Sequence, residues 1–238
     1  MTNHTVRAFD QELGVLTHKI NEMGGITEAM LVDSVDALLC RDQAKAQIVV
    51  KQDARLDELQ HEIEELAVLL IARRQPMAND LRHVMGAIRI AGDIERIGDL
   101  FKNIGKRVGA MDAAFLGHRM LSGLQHMSQL VHAQLKSVLD SFAQNRPELA
   151  KDVWLRDGEV DDLHNSLFRE LLTYMMEDPR AITLCTHLLF IAKNIERAGD
   201  HATNIAETVY FIETGHPLSG PRPKGEDTTG YVFRPDAE

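Results

Sequence analysis

Apolar positions along the chain recur in steps of three and four. Phe9, Leu13, Leu16, Ile20, Met23, Thr27 and Met30 form one such series, continuing through Ser34, Ala37 and Leu38 to about Cys40. This is the stripe of an amphipathic helix, since strand alternation has a period of two. A second series carries Ile48, Leu56, Leu59, Ile63, Leu66, Leu69 and Leu70 between Ala44 and Arg74. A third runs after Pro76 and Asn79 through Leu81, Val84, Ile88, Ala91, Ile94, Ile97, Phe101, Ile104 and Val108. The pattern then restarts. Leu121, Leu124, Met127, Leu130, Val131, Leu135 and Val138 open a fourth helix, Pro147 a fifth running to about Met176, and Pro179 a sixth ending near Ile212. Valine- and isoleucine-rich alternating runs bounded by turns are essentially missing, so strands are not expected. The pattern predicts an all-α fold of six long helices, each of about 25–35 residues and so about 40–50 Å long. Such helices are stable when their stripes pack on one another.

The restart is an internal repeat. At one constant offset Met23 matches Met127, Leu31 matches Leu135, Asp53 matches Asp157, Asp57 matches Asp161 and Leu59 matches Leu163. At a slightly shorter offset Ile94, Glu95 and Arg96 match Ile195, Glu196 and Arg197, Gly98 and Asp99 match Gly199 and Asp200, and Asn103 matches Asn204. The body reads as two tandem three-helix bundles, residues 1–112 and 113–213. Proline locates the junctions: Pro76, Pro147 and Pro179 are the body's only prolines. Pro217, Pro221, Pro223 and Pro235 lie with several glycines in residues 214–238, which read as a flexible tail without an apolar period.

The 238-residue length supports a sizeable core without a disulfide framework. Cys40 and Cys185 lie in apolar stretches and read as buried free thiols, although a bridge between them is open. No apolar run approaches the roughly 20 residues that span a bilayer, and residues 1–10 lack a signal-peptide core, so a cytoplasmic protein is expected. A net charge of −10 argues against a nucleic-acid partner.

Much of the acid excess is concentrated in four pairs, Asp53/Asp57 and Glu95/Asp99 in the first half and Asp157/Asp161 and Glu196/Asp200 in the second. Spacing i,i+4 places both carboxylates of a pair on one helix face, where like charges cost about 0.2–0.5 kcal/mol. Carboxylates converging from two helices would offset that cost by binding a hard metal ion, and the divalent or trivalent candidates Fe, Mn, Mg and Zn stay open. Asn103 and Asn204, four residues further along, could add carbonyl oxygens. The plainer reading is a solvated acidic face with Arg96 and Arg197 as local counter-charges. Gly98 and Gly199 fall mid-helix, where close helix contact or backbone approach to a site would explain them, and Gly86 and Gly92 suggest similar packing. The methionines, among them Met23, Met30, Met85, Met127, Met175 and Met176, read as core filler. Trp154 is open between core packing and a dimer contact.

Residues 91–99 (AGDIERIGD) and 192–207 (AKNIERAGDHATNIAE) resemble the signature of the PhoU family. Phe9-Asp10 with Glu22-Met23-Gly24, and residues 209–215 (VYFIETG), resemble the family's first helix and its usual end. The likeness spans residues 4–215. It implies multinuclear metal clusters on the acidic faces, with Asp53, Asp57, Glu95, Asp99, Asp157, Asp161, Glu196 and Asp200 as ligand positions. Asp93 has Asn194 as its counterpart in the second half, so the two sites need not be alike. The resemblance also implies a non-enzymatic cytoplasmic regulator of phosphate uptake that links a phosphate ABC transporter, through its ATPase, to a membrane histidine kinase and keeps the phosphate-starvation response off. A homodimer is expected because long helical units often leave an apolar edge. The competing class is a ferritin-like di-metal enzyme, which needs Glu-x-x-His on two helices. Glu58 and His61 match once, but the repeat partner reads Asp162 and Asn165, so His61 is expected on the surface. No phosphate-cradling loop, nucleophile elbow or dinucleotide fingerprint is present. A purely structural acidic coiled coil is the third alternative.

Overall fold

The computed structural model describes residues 2–111, 118–220 and 222. The expected boundary between the halves, residues 112 and 113, and residues 223–238 of the tail lie outside this set. The described residues form helices α1 (Thr2–Cys40), α2 (Gln43–Arg74), α3 (Asn79–Ala110), α4 (His118–Gln144), α5 (Pro147–Leu155), α6 (Gly158–Glu177) and α7 (Ile182–Thr214), with a 3-10 turn at Pro179–Ala181 and no strand.

Local chemistry sets the boundaries. Asp42 opens α2 by accepting the Lys45 backbone N–H at 3.0 Å, as an N-cap does. The helix stops at Arg74 because Pro76 disfavours helical geometry before it. Gln75 takes a left-handed φ of 49° and donates its N–H to Ile71. Pro147 is the first residue of α5, as expected.

The expected fifth helix is interrupted between Leu155 and Gly158. The matching position in the first half is Ala54, inside continuous α2, so the helix yields where glycine replaces alanine. Gln134 donates to the Arg156 carbonyl at 3.3 Å and satisfies a group the break frees.

One hydrophobic core runs through both halves. Helix α3 packs on α1 and α2 and crosses the repeat boundary to α7; α7 packs on α4, α5 and α6, while α1 also meets α4. Cβ atoms on Gly86 and Gly98 would fall 2.3 Å from Ile212 Cδ1 and 2.2 Å from Leu56 Cδ1, so both glycines admit a neighbouring helix. Gly92 and Gly199 do not: the nearest atoms would be 4.0 and 3.5 Å away.

Other expectations are corrected by burial. Cys185 is buried but Cys40 is exposed, and both thiols are free. Met23, Met30 and Met127 are core residues, whereas Met85 and Met176 are exposed, together with Ile48 and Leu69 of the second series. Trp154 is buried and its indole donates to Glu207 at 3.1 Å, which makes it a packing residue.

Candidate cation site

The buried stripe of α2 reads Ala46, Val49, Asp53, Leu56, Leu59, Ile63, Ala67 and Leu70. Asp53 is therefore a carboxylate in a core-facing position, and Asp57, one turn on, is exposed. Gly98 brings α3 close at Leu56, setting Glu95 and Asp99 opposite. Burial raises the Glu95 carboxyl, and repulsion from Asp99, Asp57 and Asp53 adds to it, with Arg96 opposing. Asp57 is also raised, first by burial and then by Asp53 and Asp99. Each shift is felt from the other carboxylates, so the four acids share one electrostatic neighbourhood. Lys102 from α3 enters it. Its Nζ donates to Asp53 Oδ2 at 2.6 Å and to Asp99. Burial works against the ammonium, but those hydrogen bonds and charges outweigh it and raise the lysine.

The second half repeats the carboxylates with a different cation. Asp157 sits at the helix break, buried, and accepts the Thr203 hydroxyl at 2.7 Å. Thr203 stands at the position matching Lys102. The positive charge comes instead from Arg222, beyond α7. Its Nε and Nη2 donate to Asp157 Oδ2 and Oδ1 at 2.6 and 2.7 Å, and Nη2 also reaches Asp200 Oδ1 at 2.7 Å. Nη1 donates to Asn204 Oδ1 at 3.3 Å. This is a bidentate guanidinium–carboxylate pair with a second acid attached. Glu196 accepts from Lys193 at 2.7 Å. Its other oxygen is buried without a hydrogen-bond partner among the described residues. Burial raises this carboxyl, with Lys193 opposing and Asp200 and Asp161 adding.

The sequence expectations divide accordingly. In the first half the four predicted acids do fall together; in the second, Asp157 and Asp200 meet at Arg222, and Glu196 senses Asp200 and Asp161. Of the expected counter-charges, Arg96 is exposed, acts on Glu95 through space and lies 3.8 Å from Asp93, and Arg197 is exposed; the short hydrogen bonds to the acids come from other residues. Asn204 joins the site, but Asn103 is exposed. Among the described residues no group of three or more histidine, cysteine, aspartate or glutamate side chains is arranged to hold a metal ion. The donor chemistry is that of a hard cation, and the orphan Glu196 oxygen has room for one more bond, but an ammonium or guanidinium holds the convergence point in this arrangement. His61 is exposed and pairs with Glu65 at 3.3 Å, as expected of a surface residue. Lys102, Thr203 and Arg222 were not foreseen. Lys102 had a signal, being three residues after Asp99 on the same helix face; Arg222 had none.

These features define a helical double-repeat protein with a cation-faced acidic cluster in each half. PhoU domains match residues 20–108 and 124–209. The chain is 55% identical over 226 residues to the phosphate-specific transport system accessory protein PhoU homolog of Rhizobium meliloti, covering 95% of both chains. It is 51% identical to the homolog of Caulobacter vibrioides, covering 94% of this chain and 97% of that one. The crystal structure of PhoU from Pseudomonas aeruginosa superposes with a TM-score of 0.84 at 35% identity, covering 87% of this chain and 100% of that one. That of the phosphate transport system regulatory protein PhoU from Streptococcus pneumoniae gives 0.81 at 26%, covering 89% and 99%. The chain belongs to the PhoU family. The relatives are named as accessory and regulatory proteins of phosphate transport, not as enzymes, which removes the ground for the ferritin-like alternative. Among the described residues no helix is long and apolar enough to cross a membrane.

Proposed function

We propose that the protein is a metal-binding regulatory adaptor in phosphate homeostasis, acting in the cytoplasm. It modulates uptake by the phosphate ABC transporter through the transporter ATPase. It restrains the phosphate-starvation response through a phosphate-sensing membrane histidine kinase, and it works as a homodimer. The family membership supports the phosphate role, and the PhoU proteins it matches are accessory to that system by name.

The metal reading rests on the doubled carboxylate cluster, and above all on the convergence of Asp53 from α2 and Asp99 from α3 on one ammonium. Asp53, Asp57, Glu95 and Asp99 would hold one ion or cluster, and Asp157, Asp161, Glu196 and Asp200 the other, with Asn204 as a further oxygen. A bound metal supplies positive charge that fixes paired helices and can bridge to an anion. The chain's own part is to hold rigid helical faces at which a partner docks.

The test is a titration of Mn2+ into metal-free wild type and into the E95Q/D99N/E196Q/D200N variant. Saturable binding that the variant loses supports the reading. The absence of binding in wild type overturns it and leaves the acids as ion-pair networks. Alkaline-phosphatase reporter activity in phosphate-replete cells carrying a gene deletion tests the regulatory role: it should be high, and low again on complementation.

A further inference from the structure

The two acidic clusters are neutralised in different ways. In the first half the cation is built into the helix: Lys102 is on α3, one turn from Asp99, and its backbone is held there by the helix. In the second half the matching residue is Thr203, which offers a hydroxyl and no charge. The charge arrives from Arg222, separated from the end of α7 at Thr214 by a short connection with no helical structure through Gly220. The burial of the two pairs is alike. The Lys102 and Asp53 side chains are 21% and 10% exposed, and those of Arg222 and Asp157 are 20% and 5% exposed. The same electrostatic problem is thus solved once by a fixed cation and once by a tethered one.

We infer that Arg222 is an intramolecular competitor for metal at the second site, so that the segment following α7 is a strap which a metal ion at Asp157 and Asp200 displaces. The inference rests on the metal reading above. The guanidinium uses both oxygens of Asp157 and one of Asp200, atoms a metal would need. A metal at those oxygens repels the guanidinium and draws on the lone pairs its hydrogen bonds use, so metal and strap compete, and each weakens the other by the same factor. The first site carries no such strap and stays independent of the tail.

Two measurements on the full-length protein test this. In metal-free protein, hydrogen exchange of peptides covering residues 215–222 should be slower in wild type than in R222Q. Equal exchange means that Arg222 does not hold the segment, and overturns the strap whatever the metal does. Mn2+ titrations are then run in an E95Q/D99N background, which disables the first site. R222Q should bind Mn2+ about tenfold tighter than the chain carrying Arg222, the factor expected if the strap is closed about nine-tenths of the time. R222K, which keeps the charge but loses the bidentate geometry, should fall between them. Equal affinities overturn the competition while leaving the metal reading intact; no Mn2+ bound by any of the three overturns the metal reading and the competition with it.

Discussion

His201 Nδ1 lies 2.9 Å from Asp93 Oδ1, joining α7 of the second half to α3 of the first. Both side chains are largely buried, at 16% and 11% exposed. The repeat counterpart of Asp93 is Asn194, so this bond has no twin: it exists because the two halves differ where they meet. Removing the imidazole takes away the hydrogen bond of a largely buried carboxylate and leaves it only Arg96, 3.8 Å away, which costs about 1–3 kcal/mol. H201A should therefore lower the unfolding free energy by about that much in a denaturant titration. D93N should recover part of the loss when combined with it, since the orphan is then uncharged. Strict additivity of the two changes would show that the residues do not interact.

Lys102 presents the same logic at the first acidic site. Its ammonium is the common partner of Asp53 and Asp99, and Asp57 and Glu95 stand in the same field. K102M keeps the aliphatic stem and removes the charge. It should destabilise the metal-free protein by about 2 kcal/mol, the scale of a lost charge-assisted hydrogen bond to a buried acid. Thermal melts of metal-free protein with and without Mn2+ would check this. Added Mn2+ should raise the melting temperature of K102M more than that of wild type, because the metal then meets no resident cation.

Periodicity and the prolines together locate the helices, because burial of an apolar stripe is written directly in i, i+3, i+4 spacing; the break between Leu155 and Gly158 leaves no mark in that spacing. The repeat was legible for the same reason, with Glu95/Asp99 and Glu196/Asp200 at matched positions. The partners of those acids were not. Arg96 and Arg197 are next to Glu95 and Glu196 in sequence, but neighbours in sequence point about 100° apart on a helix. The residue that faces Asp99 is three positions on, at Lys102. Arg222 was beyond reach, because it meets Asp157 from an irregular segment that has no period to read. Asp53 shows a further limit. It occupies a core-facing position of α2, but its polarity hid it from a count of apolar residues.

His83 gives a pH dependence away from the acidic sites. Its ring packs at a 34° tilt against Phe142 with centroids 5.3 Å apart, α3 against α4, and its Nε2 is buried without a partner among the described residues. Burial lowers its affinity for a proton, with Asp80 partly opposing. A histidine whose folded pKa is depressed contributes stability that is full above its ordinary value near 6.5 and lost as pH falls through the folded value. Melting temperature should thus fall between pH 7.5 and 5.5 by more in wild type than in H83F, which cannot titrate and keeps the ring contact. An equal fall in both would mean that protonation of His83 carries none of the acid sensitivity.

Gly98 and Gly199 occupy matched places in the two halves and should respond to alanine with opposite signs. At Gly98 a Cβ would lie 2.2 Å from Leu56 Cδ1, and Leu56 is fully buried, so one helix or the leucine must give way. Overpacking of that kind costs about 1–3 kcal/mol, and this has to outweigh the roughly 1 kcal/mol the helix gains on losing a glycine. At Gly199 the nearest atoms, on Val131 and Val160, are 3.5 Å away, ordinary contact distance. There the methyl group meets no resistance, and the helix gains about 1 kcal/mol from replacing glycine. G98A should unfold at lower denaturant concentration than wild type and G199A at higher. Combining G98A with L56V, which shortens the obstructing side chain, should return part of the loss. If G98A proves neutral, α2 and α3 separate more easily than their packing indicates, and the crossing that places Asp53 opposite Asp99 is soft.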